Sequence, residues 1–172
     1  MTEKNQLYKK KIVKHLYFSN MLSCADLSDK INKSLPVTTK MLGKLIEEGW
    51  VTETGFAAST GGRRAVMYSL KPDVLYVVSV AMDQLITRIA ILNMQNVQVT
   101  ATEIFELPLT RNPQALAMLT EKIEEVINKS GIAKNRIAGV GLGMPGFVDA
   151  LQGQNYTFLE PEQGSLLSLI HI

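Results

Sequence analysis

The sequence predicts a mixed α+β and α/β chain in two modules: three helices closed by a β-hairpin over residues 1–71, then a β-β-β-α-β unit over 73–172. Three observations carry this. Apolar residues recur at 3/4 spacing as far as Gly49, and strand-like runs then flank a glycine-containing loop. From Asp73 the chain turns to apolar, β-branched stretches. The charge turns at the same place: residues 1–71 hold 12 Lys/Arg against 6 Asp/Glu, a net +6, and the rest holds 6 against 10, a net −4. A basic front and an acidic back imply two modules, the first facing a polyanion.

The first helix is expected over 5–19, with Tyr8, Ile12, Val13, Leu16 and Tyr17 inward and Lys9, Lys10, Lys11 and Lys14 among the polar positions. Ser23 is placed to cap a second helix over 24–33, with Asp26 in the capping-box position and Ala25, Leu27, Ser28 and Ile31 inward. A third helix should begin near Pro36 and end at Gly49. Its inner stripe would be Thr38, Met41, Leu42, Leu45 and Ile46, and its outer stripe Pro36, Thr39, Lys40, Gly43, Lys44 and Glu47. The short connection between the second and third helices makes a helix-turn-helix, whose second helix enters the major groove of DNA in proteins that bind it. Thr39 and Lys40 are then the groove-facing candidates and Lys44 a phosphate contact. A small helical bundle with solvated lysines is the competing reading.

Val51–Glu53 and Val66–Leu70 read as the two strands of a wing, with the loop from Thr54 to Gly62 between them. Gly61 and Gly62 would let the backbone approach a surface closely. Arg63 and Arg64 suit phosphate or a narrow minor groove. A solvated charge cluster at the tip is the alternative.

In the second module, Val74–Ala81, Thr87–Met94 and Val97–Leu107 are three expected strands, with a turn at Asn93–Asn96 between the last two. Asn112-Pro113 reads as a cap and a first-turn proline. A helix should follow with Leu116, Leu119, Ile123, Val126 and Ile127 inward, ending near Lys129 before Gly131. Ile137–Leu142 is a buried strand running into Gly143-Met144-Pro145-Gly146.

Several classes are excluded or disfavoured. One cysteine, Cys24, cannot form an intramolecular disulfide and is expected as a small buried side chain. With His15 and His171 as the two histidines, a four-ligand structural zinc site cannot be assembled, and no Ser/His/Asp or Cys/His constellation is present. The Lys-rich start lacks an apolar segment behind it, so no signal peptide is expected. The longest apolar run, around Val74–Met82, falls far short of the roughly 20 residues that span a bilayer. A cytoplasmic protein without a cofactor, catalytic residues or membrane partner is the expectation.

The element order, the strand into Gly141-Leu142-Gly143-Met144-Pro145-Gly146-Phe147-Val148-Asp149 and the basic module ending in Thr60-Gly61-Gly62-Arg63-Arg64 together resemble the ROK family of bacterial repressors and sugar kinases. The resemblance runs to about residue 160. It implies a winged helix-turn-helix fused to part of a sugar-kinase-like lobe of the actin/ribonuclease-H type. It implies a repressor of carbohydrate genes that binds a double-stranded DNA operator, homo-oligomeric and sugar-responsive at full length. Gly143, Pro145 and Gly146 would be vestigial ligand-binding positions. Kinases of the family carry an Asp-x-Gly-Gly-Thr-Lys-like loop that wraps ATP phosphates. Here Asp83-Gln84-Leu85-Ile86-Thr87-Arg88 replaces both glycines with bulky residues, which argues for a hairpin turn and against phosphoryl transfer. A sugar kinase with an added basic module and a winged-helix protein-interaction module are the alternatives. The apolar end, Ser165–Ile172, departs from the family pattern and is read as a truncation.

Overall fold

The computed structural model describes residues 3–58, 64–109, 112–149, 151, 154–155 and 157. Contacts divide them into two units: the described residues of 1–75 with 93–97, and those of 76–92 and from 98 onward.

In the first unit the order is α1 (Glu3–Ser19), β1 (Met21–Ser23), α2 (Cys24–Ile31), α3 (Leu35–Glu47), β2 (Val51–Phe56) and β3 (Val66–Leu70). The apolar stripes of the three helices meet in one core: Ile12 and Leu16 from α1, Leu27 and Ile31 from α2, Met41, Leu42 and Leu45 from α3, closed by Val51 and Leu70. Two inward expectations fail. Ala25 and Ile46 are exposed, because each lies in a terminal turn at the margin of its helix's buried stripe. The start of α2 follows its sequence signal. Ser23 Oγ accepts from the Asp26 amide at 3.2 Å, while the Asp26 carboxylate accepts from the Ser23 amide at 3.0 Å and its hydroxyl at 2.7 Å. Gly49 follows the C-cap of α3 with φ +78, a backbone conformation that favours glycine.

β1 has no counterpart in the sequence reading. It pairs antiparallel with β3, Met21 opposite Ser69, and makes a three-stranded sheet in the order β1-β3-β2. Three residues are too few to show a period of two. Lys9 also departs from expectation. It is 5% exposed and ion-paired with Glu48 at the end of α3. Residues 93–97 belong to this unit through Gln95, whose Nε2 donates to the Leu70 carbonyl at 2.7 Å, and Met94, which packs on the core.

The second unit is a four-stranded sheet in the order β6-β5-β4-β7, from β4 (Tyr76–Met82), β5 (Ile86–Asn93), β6 (Glu103–Glu106) and β7 (Ile137–Gly143). β4 and β7 run parallel and β5 and β6 antiparallel. α4 (Ala115–Ser130) buries Ala115, Leu119 and Val126 with Val78, Val80, Ile89 and Ile91 of the sheet. It ends as expected, at Gly131 with φ +70. Its start differs: the helix begins at Ala115, and Asn112 Oδ1 accepts from the Gln114 amide outside it. The third expected strand is shortened. At its head the Thr100 hydroxyl accepts the Ile91 amide at 3.0 Å, so a side chain replaces a backbone rung. A short pair, β8 (Val148–Asp149) with β9 (Gln154–Asn155), follows β7.

Two stability predictions follow from the first unit. Lys9→Ala should cost about 1–3 kcal/mol in urea unfolding, because a buried cation is lost and Glu48 is left half-covered without it. Lys9→Met, which keeps the packed stem, should cost less. Ser23→Ala should cost about 1 kcal/mol by removing the cap. The Ser23 side-chain and backbone hydrogen bonds hold the Asp26 carboxyl below its usual 3.8. Its contribution is therefore present above that value and lost as the pH falls through the lowered folded value. A urea midpoint series across acid pH should show this loss in the parent and a flatter profile in Asp26→Asn.

Candidate nucleic-acid interface

The placement of α3 follows from its buried stripe. Thr38, Met41, Leu42 and Leu45 recur at 3/4 spacing and are all buried. Thr38 Oγ1 donates to the Ser34 carbonyl at 3.1 Å, which satisfies its hydroxyl inside the core. Fixing that stripe inward turns Pro36, Thr39 and Lys40 out to solvent and leaves Gly43 and Lys44 half-buried. Thr39 Oγ1 shares a 3.3 Å hydrogen bond with Cys24 Sγ. Cys24 is thus half-buried and polar-contacting, where a plain buried side chain was expected.

Charge along α3 is uneven. Lys40 and Lys44 lie on its outer side, and Glu47 and Glu48 crowd its C-terminal end. Carboxylates there oppose the partial negative charge of the helix end. The Lys9 ammonium compensates Glu48 and leaves the lysines of the outer face free of that partner.

The hairpin of β2 and β3 is bent. Its register shifts between Glu53 and Gly55, a β-bulge, and Gly55 takes φ +127. Thr54 Oγ1 donates to Ser69 Oγ at 2.9 Å across the bulge. Beyond the strands, the Ala57 amide bonds the Ala65 carbonyl at 2.8 Å, and Arg64 is exposed. Gly61, Gly62 and Arg63 lie outside the described residues. The first unit therefore carries Pro36, Thr39, Lys40, Lys44 and Arg64 of the expected contact set. Sequence reasoning missed Leu35 and Val37, which are also exposed at the start of α3. Their signal was present: both fall outside the inward stripe at 100° per residue.

The Asp83–Arg88 segment closes on itself. The Asp83 carboxylate accepts from the Ile86 amide at 2.6 Å and the Leu85 amide at 2.9 Å, with Arg88 Nη1 at 3.3 Å. These bonds, those from Ile86 and Leu85 first, hold its carboxyl below the ordinary range. The Leu85 carbonyl accepts the Leu107 amide at 2.7 Å. Thr87 is fully buried on the strand face it shares with Ile89 and Ile91, and its hydroxyl has no hydrogen-bond partner. The Leu85 and Ile86 amides are thus engaged in the turn, and the Thr87 hydroxyl is turned into the core. Gly143 and Gly146 end and follow β7, Gly146 with φ +136 and Pro145 between them. A Cβ at Gly143 would meet Val80 O at 3.8 Å, an ordinary contact, so packing within the described residues does not force glycine there. Among the described residues no group of His, Cys, Asp and Glu could hold a metal ion, and no helix is long and apolar enough to cross a membrane.

No family model matches the chain. A xylose repressor of Caldicellulosiruptor bescii is 24% identical over 149 residues, which is 86% of this chain and 37% of the repressor. A crystal structure of a ROK family transcriptional regulator, a homologue of the E. coli MLC protein, superposes with a TM-score of 0.61 at 19% identity, over 90% of this chain and 39% of that one. The resemblance to ROK regulators read from the motifs is therefore borne out, in sequence over most of the chain and in fold. The chain spans about 37% of the length of the curated repressor it matches.

Gly55→Ala tests the bent hairpin. A side chain is strained at φ +127, so the variant should lose about 1 kcal/mol or more in urea unfolding. No neighbour lies within 4 Å of the added Cβ, so the loss would report backbone conformation and not crowding.

Proposed function

We propose that this protein is a DNA-binding transcriptional repressor of carbohydrate-utilisation genes. In this reading residues 1–71 form a winged helix-turn-helix, with α3 as its recognition helix and the β2–β3 hairpin as its wing. Residues 73–172 form part of an actin/ribonuclease-H-like, sugar-kinase-like lobe. The observation that carries the proposal is the anchoring of α3: its buried stripe leaves Pro36, Thr39 and Lys40 outward in a module of net charge +6. The similarity to a xylose repressor supports the biological setting. Thr39 and Lys40 would face the major groove, Lys44 a phosphate, and Gly61, Gly62, Arg63 and Arg64 the backbone or minor groove beside it.

The protein would act in the cytoplasm, as a homodimer on a two-fold operator. In the whole protein a sugar or sugar derivative would shift the population between DNA-competent and incompetent forms. The closed Asp83 turn and the buried Thr87 favour a regulator over a kinase, because neither leaves a cradle for phosphate. The vestigial positions Gly143, Pro145 and Gly146 would then keep a binding role without phosphoryl transfer.

The purified chain should bind DNA from upstream of its own gene more tightly than random DNA, and both affinities should fall steeply with salt. Lys44→Ala and Arg64→Ala should each weaken binding to all sequences and lower the salt slope by about 1. Equal, salt-insensitive binding by a folded sample would overturn the proposal.

A further inference from the structure

Three apolar residues stand open to solvent at the start of α3: Leu35 (51% exposed), Pro36 and Val37 (37% exposed). The core does not need them, since Thr38, Met41, Leu42 and Leu45 already supply the inward stripe. At 100° per residue, Val37 shares one side of the helix with Lys40 and Lys44, three and seven residues on. This exposed side is therefore apolar at its N-terminal end and basic behind it. Duplex DNA has a matching order, base edges at the groove floor and phosphates at the rim. The residues that read guanine or adenine by paired hydrogen bonds are chiefly Arg, Lys, Asn and Gln, and of these α3 contains only Lys40 and Lys44. Of the exposed apolar side chains here, Val37 is the one that shares a side with both lysines, and the apolar group on the major-groove edges is the thymine 5-methyl.

We propose that Val37 reads a thymine through its 5-methyl group, with Lys44 holding a phosphate behind it. The assignment rests on the DNA-binding reading above and adds a specificity-determining residue and the base it selects. The full chain is first used to recover its tightest duplex from a random-sequence pool. That duplex is then remade with each thymine in turn replaced by deoxyuridine, which deletes the methyl and keeps every hydrogen-bonding group and charge. One replacement per half-site should weaken binding about fourfold, the worth of one buried methyl-sized contact, with the salt slope unchanged. Val37→Ala should shrink that penalty; the residue is exposed, and circular dichroism would verify that the variant folds. Salt-sensitive, sequence-selective binding that ignores every replacement would overturn the thymine contact alone. So would a penalty of the same size in Val37→Ala. Absence of salt-sensitive binding to any duplex would overturn this contact and the DNA-binding reading together.

Discussion

The first unit depends on the burial of one helical stripe. Thr38, Met41, Leu42 and Leu45 must all reach the core formed with Ile12, Leu16, Leu27 and Ile31, and a helix has a single rotation that allows it. Each fully buried Leu or Met stabilises the unit by roughly 1.5–3 kcal/mol, so a rotated α3 would forfeit several times that amount. Thr38 is compatible with that burial. Its hydroxyl donates one turn back to the Ser34 carbonyl, so this polar residue can lie in the core stripe without an unpaired donor. The positions of Pro36, Val37, Thr39 and Lys40 on the outer side are a consequence of this burial and need no interaction of their own.

The second consequence is electrostatic. A helix that displays lysines on its outer face while ending in Glu47-Glu48 works against its own dipole. The fold answers with Lys9, drawn out of the Lys-rich run of α1 to reach Glu48. The other described lysines of that run, Lys10, Lys11 and Lys14, stay exposed. One member of a charge cluster is thus structural and its neighbours are solvated, a division that follows from which face of α1 meets the core.

In the second unit, the Asp83–Arg88 segment is a turn that satisfies itself. With Leu85 and Ile86 in place of glycines, the Asp83 carboxylate caps their amides and the backbone pairs with the chain around Leu107. An Asx-type turn of this kind is stable without a ligand, whereas a glycine-rich cradle presents its amides outward.

Much of this was legible in the sequence, and the rest was not for identifiable reasons. The stripe of α3, the Ser23–Asp26 cap, the αL glycines at 49 and 131 and the Asn93 turn are set by residues within one or two helical turns of each other, so sequence alone determined them. Of the candidate site, Pro36, Thr39 and Lys40 followed from the same local period. What only the tertiary structure decided lies between residues far apart in the chain. β1 exists because β3 arrives beside it, Lys9 is buried with an ion-pair partner, Glu48, that lies 39 residues away, and Thr39 meets Cys24 across the turn. The exposure of Ile46 and the shortening of the strand before Glu103 belong to the same class. A periodic pattern fixes which face of an element is apolar, but partners across the core decide how much of that face is covered and which polar groups find each other.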